Sequence, residues 1–293
     1  TLDRSSAASD VYKRQDLMSI LNEAALLAAR RTRSAVTMQD IIDASDKVRF
    51  GKERRSLELD EQEKKTTAYH ESGHTILGLL VEHSDPVEKV TIVPRGLSLG
   101  ATYFIPKRNH VGYRKKEVLD QLTVLMGGRA AEELFIGDIS SGAHGDFKQA
   151  TKLVRRMICE WGMSEELGTV AYDEGMDMSG YGSGHQEISY SEATLHKIDG
   201  EVKGILSTAY DRAKSMLQPL EDKVHHMAAL LVEFETLDKE DVDQILAGSF
   251  DIENKRKKIE ETEKLMKKAV VSPPPIPKAP GNDGEDPTPA TSS

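Results

Sequence analysis

The sequence predicts a mainly helical protein carrying one small β-sheet. Apolar residues recur at three-to-four spacing through most of the long segments, whereas residues 87–105 are rich in β-branched and aromatic residues instead. With 293 residues and 38% apolar content there is material for one large core or two small ones, and length alone suggests about two domains.

Residues 1–15 are polar, show no sustained period and are left unassigned. From Asp16, the run DLMSILNEAALLAARRTR places Leu17, Ile20, Leu21, Ala24 and Ala28 on one helical face, with Arg30, Arg31 and Arg33 at the end favoured by the helix dipole. Thr37 followed by Asp40 resembles a capping box and opens a second helix through about Val48. Residues 50–60 are charged and weakly patterned, which suits a boundary. A long helix follows over about 61–82. The segments 87–94 and 99–105, separated by Arg95-Gly96-Leu97-Ser98, read as a two-strand unit. Helices are then predicted near 114–135, 146–160, 188–218, 220–235 and 238–247, with Gly-rich linkage such as 174–185. Trp161 and Met163 are read as core, and Cys159 as a buried apolar residue. Residues 249–270 read as a charged helix. The Pro-rich segment 271–293 has too few apolar residues to build a core and reads as a disordered tail.

A net charge of −10 and a pI near 5.5 argue against nucleic acid as a partner, because phosphate binding calls for clustered positive charge. One cysteine excludes an internal disulfide and a thiolate metal cluster, and fits a reducing compartment. Any metal must therefore be held by His, Asp or Glu. No window approaches the ~18 uninterrupted apolar residues of a membrane helix, and no signal-peptide pattern opens the chain. The first residue is Thr1, which fits a piece of a longer protein.

The chemistry is concentrated in TTAYHESGHTILGLL, residues 66–80. Positions four apart on a helix lie one above the other, so His70 and His74 can converge on one ion, and two imidazoles at that spacing suit Zn²⁺. Glu71, rotated to one side, can take the proton of an attacking water and later pass it to a leaving amine. With 9 histidines, a chance H-E-x-x-H is expected in only a few of about a hundred such sequences. The motif reads as the core of a hydrolytic zinc site rather than as two solvated histidines. A third ligand is needed. Leu80 stands where the metzincin pattern has its third histidine, so that pattern is excluded. Glu88 is the nearest glutamate for a thermolysin-like site but falls in an apparent strand. In SSGAHGDFKQAT, 140–151, a Gly-rich turn delivers Asp146 to the start of a helix. Asp146 with Gln149 three residues later is also what an ordinary helix cap looks like, so the residues alone leave cap and ligand open, with His144 a weaker rival.

HESGH (70–74), DPVEKVTIVPRGLSLGATYFIP (85–106), GGRAAEEL (127–134), SGAHGDFKQAT (141–151) and EWGMSEELG (160–168) together resemble the peptidase domain of the FtsH family, membrane-anchored ATP-dependent zinc proteases. The likeness runs from about Asp16 to Leu246. It implies a helical zinc-peptidase domain over 61–248 with a small sheet, preceded at 16–49 by the end of an AAA+ helical lid. It implies that His70, His74 and Asp146 hold zinc, that Glu71 is the catalytic carboxylate, and that Glu132 stands behind the ligands, orienting an imidazole or stabilising the site, rather than only pairing with Arg129. Ser141 stands where the family usually has Thr, which keeps the hydroxyl. The strand at 99–105 resembles the edge beside the family's cleft, where an extended substrate could add as a further strand. The resemblance further implies a homo-hexamer acting on unfolded or membrane-extracted proteins at the cytoplasmic side of a bacterial inner membrane, or facing an organellar matrix or stroma. ATP and Mg²⁺ belong only to a full-length parent, since no G-x-x-x-x-G-K-[ST] phosphate loop, Walker B strand or membrane helix is present here. The alternatives are a non-proteolytic ring subunit and an unrelated peptidase using Glu88; an intact HESGH with Asp146 argues against the first.

Overall fold

The computed structural model describes residues 2–54, 59–96, 98–106, 112–172 and 191–269. The Gly-rich linker at 174–185, the first residues of the helix expected from 188, and the tail at 271–293 lie outside the described residues. The chain divides into two compact units, residues 52–250 and residues 1–51 together with 251–293.

In the second of these units, α1 (Leu2–Arg30) begins well before the predicted start, inside the polar segment left unassigned. Without apolar periodicity, residues 2–15 carry no sequence signal for a helix. α2 (Met38–Phe50) opens with the predicted capping box: Thr37 accepts from the Asp40 amide, and Asp40 accepts from that of Thr37. Arg31 reaches Asp40 and Asp43 while Lys47 pairs with Glu23, so α2 lies antiparallel to the C-terminal half of α1. At 13 residues, α2 spans only ~20 Å. Ala24 and Ala28 are therefore buried, whereas Leu17 and Leu21 of the same predicted face are exposed. The charged segment is helical, α10 (Ile252–Ala269).

In the larger unit, α3 (Glu61–Leu80) is the central element. Its start is fixed by a capping box between Asp60 and Glu63, and residues 67–78 are buried on every face. Ile76 and Leu77 are fully buried, each worth ~2–3 kcal/mol of apolar burial. Around α3 stand α4 (Lys115–Leu125), α5 (Gly127–Ala131) running into a π turn at Glu132–Ile136, α7 (Glu192–Leu217) and α8 (Glu221–Phe234). α6 (His144–Arg155) also ends in a π turn, Arg156–Glu160, and α9 (Lys239–Ala247) closes the unit. α3 and α5 cross where Gly73 faces Gly127: a Cβ on Gly73 would lie 2.3 Å from the Gly127 carbonyl oxygen.

Among the described residues the sheet has three strands, not two. β1 (Val87–Thr91) lies between β2 (Ala101–Phe104) and the short β3 (Thr236–Asp238), both antiparallel to it. Val90 pairs with Thr102 on one side and Leu237 on the other. β3 escaped the sequence reading because three residues between two helices are too few to show a period of two. β2 is an edge strand beside α3.

Three core expectations need correction. Met157 and Ile158 fill the core at the π turn, leaving Cys159 half-buried. Trp161 is half-buried too, stacked on Tyr113 at 5.2 Å with the Arg156 guanidinium 4.9 Å from its ring, and Met163 is half-buried beyond Gly162.

Candidate metal centre

His70 and His74 share one face of α3, and their rings meet edge to face with centroids 4.7 Å apart. Each ring has its Nδ1 hydrogen committed outward. His70 Nδ1 donates to Glu132 Oε1 at 2.7 Å, and His74 Nδ1 donates to the Val124 carbonyl near the end of α4 at 2.7 Å. In that tautomer both Nε2 lone pairs point inward, 3.0 Å from each other. Two lone pairs facing at this distance call for a cation between them.

Asp146 completes the cluster from the first turn of α6. Its Oδ2 lies 3.2 Å from His70 Nε2 and 3.5 Å from His74 Nε2. It does not cap the helix, whose cap position is Ala143. Zinc bonds of ~2.0–2.1 Å set tetrahedral edges of about 3.3 Å, so separations of 3.0, 3.2 and 3.5 Å are those of three corners of a zinc tetrahedron. His70, His74 and Asp146 are the cluster of potential ligands found among the described residues. Glu88 sits at an irregularity in β1 and His144 is exposed at the start of α6; neither joins it.

Charge and packing hold the arrangement. Burial works against a charged His70, but hydrogen bonds to Asp146 and Glu132 outweigh it and push its pKa up to about 10, so this is a place where positive charge is stabilised. For Asp146 burial likewise works upward, yet the two imidazoles hold its pKa below the usual carboxylate range. Glu132, 1% exposed, is held down in the same way against burial by His70 and by the Ser140 amide, which donates to its Oε2 at 2.8 Å. Arg129 is 4.0 Å from Glu132 and donates to the Ser140 carbonyl instead. Gly128 lies against the His70 ring, where a Cβ would come within 2.4–2.6 Å of ring atoms. Glu71, 5% exposed, has its pKa raised by burial, only partly offset by the neighbouring imidazoles and by Thr102.

Sequence reasoning missed the Val124 carbonyl, which no side chain announces, and Gly128, whose signal was the Gly-Gly pair opening GGRAAEEL.

A buried H-E-x-x-H helix whose imidazoles converge with an aspartate from a second helix, with a desolvated glutamate alongside, defines a metallopeptidase with a donor set suited to zinc. Residues 57–245 match the model of peptidase family M41, and the chain belongs to that family. It is 58% identical over 272 residues to the ATP-dependent zinc metalloprotease FtsH of Chlamydia trachomatis serovar L2, a match covering 92% of this chain and 30% of that relative. Identity to the protein of the same name from Protochlamydia amoebophila is 55%, covering 86% of this chain and 28% of the relative. For that of Akkermansia muciniphila it is 41%, covering 97% and 34%. The chain thus spans about a third of the length of the curated relatives it matches. Among the described residues no helix is long and apolar enough to cross a membrane.

Proposed function

We propose that this chain is the proteolytic part of an ATP-dependent zinc endopeptidase, with His70, His74 and Asp146 as zinc ligands and Glu71 as the catalytic base. The observation that carries the proposal is the convergence of three ligand atoms at tetrahedral spacing beside a buried carboxylate. Zinc held there supplies a Lewis acid that lets water attack near neutral pH and polarises the scissile carbonyl. Glu71 takes the proton of the attacking water at its carboxylate and delivers it to the amine nitrogen as the C–N bond breaks. Glu132 holds the His70 tautomer that presents Nε2, as the Val124 carbonyl does for His74. The open edge of β2 receives an extended substrate backbone as an added strand, which suits broad selectivity among unfolded or membrane-extracted proteins.

The relatives' names support ATP dependence in a longer protein; the sequence resemblance alone suggests residues 16–49 as the end of its AAA+ lid. A homo-hexamer attached to a bacterial inner membrane, with the peptidase on the cytoplasmic side, follows from the same resemblance.

The test is zinc content and casein cleavage for this chain and its Glu71→Gln variant. About one zinc in each, with cleavage lost only in the variant, is the expected result. Equal cleavage by both would remove Glu71 from the mechanism, and a folded chain that takes up no zinc would end the metallopeptidase reading. Zinc in both without cleavage by either would assign turnover to the assembled full-length protein.

A further inference from the structure

We infer that Thr102, on edge strand β2, is a positioning residue that fixes the Glu71 carboxylate and thereby ties the base to the strand proposed to dock substrate. The inference rests on Glu71 being the base. Thr102 Oγ1 is 2.8 Å from Glu71 Oε2. It is also 3.2 Å from the Glu71 carbonyl and 3.1 Å from Thr75 Oγ1. Counting hydrogens resolves the cluster. Thr75 donates its hydroxyl hydrogen to the Glu71 carbonyl at 2.8 Å, so the single hydrogen of Thr102 goes to the strongest acceptor within reach, the carboxylate. Oε2 is then a held oxygen, and Oε1 is the one left to receive the proton from water.

The strand is built to come this close. A Cβ on Gly100, just before β2, would fall 2.7 Å from Thr67 Cγ2 and 3.0 Å from Glu71 Cγ, so only glycine lets the chain pass α3 at this distance. β2 alternates, sending Thr102 toward α3 while Tyr103 pairs its ring with the Lys89 ammonium. Thr102 also pairs with Val90 of β1, which fixes its height along α3. A peptide lying along β2 therefore binds the strand that aims the base.

The experiment uses the zinc-loaded chain and a short peptide hydroxamate, whose two oxygens chelate zinc while its N–OH group hydrogen-bonds to the base. Hydroxamate affinity, zinc content and thermal midpoint are measured for Thr102→Val, Thr102→Ser, Glu71→Gln and the Thr102→Val/Glu71→Gln double variant. Expected are an affinity about tenfold weaker for Thr102→Val, near recovery in Thr102→Ser, unchanged zinc content, and no further loss on adding Thr102→Val to Glu71→Gln. Additive losses in the double variant, no recovery by serine, or zinc content falling with the valine change would overturn the inference in favour of a structural role. An affinity indifferent to Glu71→Gln, or no binding to the unsubstituted chain, would instead overturn the underlying reading of the zinc centre and its base.

Discussion

His70 has two ring nitrogens and, when neutral, one hydrogen, and Glu132 decides which nitrogen keeps it. Because Oε1 accepts from Nδ1 at 2.7 Å, Nε2 is left as a lone pair aimed at Asp146 and His74. The same carboxylate accepts from the Ser140 amide and hydroxyl, tying the turn before α6 to the π turn that carries Glu132. Glu132→Ala would leave His70 free to change tautomer and the Ser140 amide unpaired. Zinc affinity measured against a chromophoric chelator should fall by about 10–100-fold while the ligands themselves remain. Unaltered affinity would reduce Glu132 to a structural ion pair.

At the scale of elements, glycine governs how closely helices and rings approach. Gly73→Ala forces a Cβ to 2.3 Å from the Gly127 carbonyl oxygen and 2.8 Å from the Ala131 Cβ, with rigid backbone on both sides. Gly204 in α7 has nothing within 4 Å of the same added atom. Denaturant unfolding should therefore show Gly73→Ala destabilised by ~2 kcal/mol or more, and Gly204→Ala stabilised by up to ~1 kcal/mol through helix propensity. Equal effects would mean that the α3–α5 crossing yields easily. The contrast also shows what the sequence could disclose. Both glycines stand inside helical patterns, and only the partner brought up by the fold separates them. The long helices were legible because their apolar residues repeat over many turns, and the H-E-x-x-H face because its spacing is local. Asp146 was open between cap and ligand, since the choice depends on α3, some seventy residues earlier in the chain. β3, the two π turns and the Val124 carbonyl have no local signature. Leu17 and Leu21 show the converse: a clear periodic face that 13 residues of α2 are too short to cover.

At the scale of the whole molecule, each compact unit holds a buried aspartate by hydrogen bonds that include an arginine. Asp40 bonds Arg31, Arg33 and Thr37; Asp120 bonds Arg212 at 2.7 Å and both the His83 amide and ring at about 3 Å. Burial alone would raise both pKa values, but these partners outweigh it and hold both below the usual carboxylate range. A folded-state pKa below the unfolded value means that the unfolded chain binds more protons across the interval between them. The resulting stability is complete above ~3.9, the unfolded value, and is lost as pH falls through the depressed folded one. Asp120→Asn removes this ionisation. In metal-free protein, chosen because acid also releases bound ions from imidazole ligands, the unfolding midpoint of the variant should lie below that of the unsubstituted chain at pH 7. The gap should narrow steadily from about pH 4 downward, as the native carboxylate takes up its proton and loses the same interactions. Some acid sensitivity should persist in the variant, because Asp40 still titrates in its own unit. A gap that stays constant to pH 3 would show that Asp120 acts through its shape and hydrogen bonds rather than its charge.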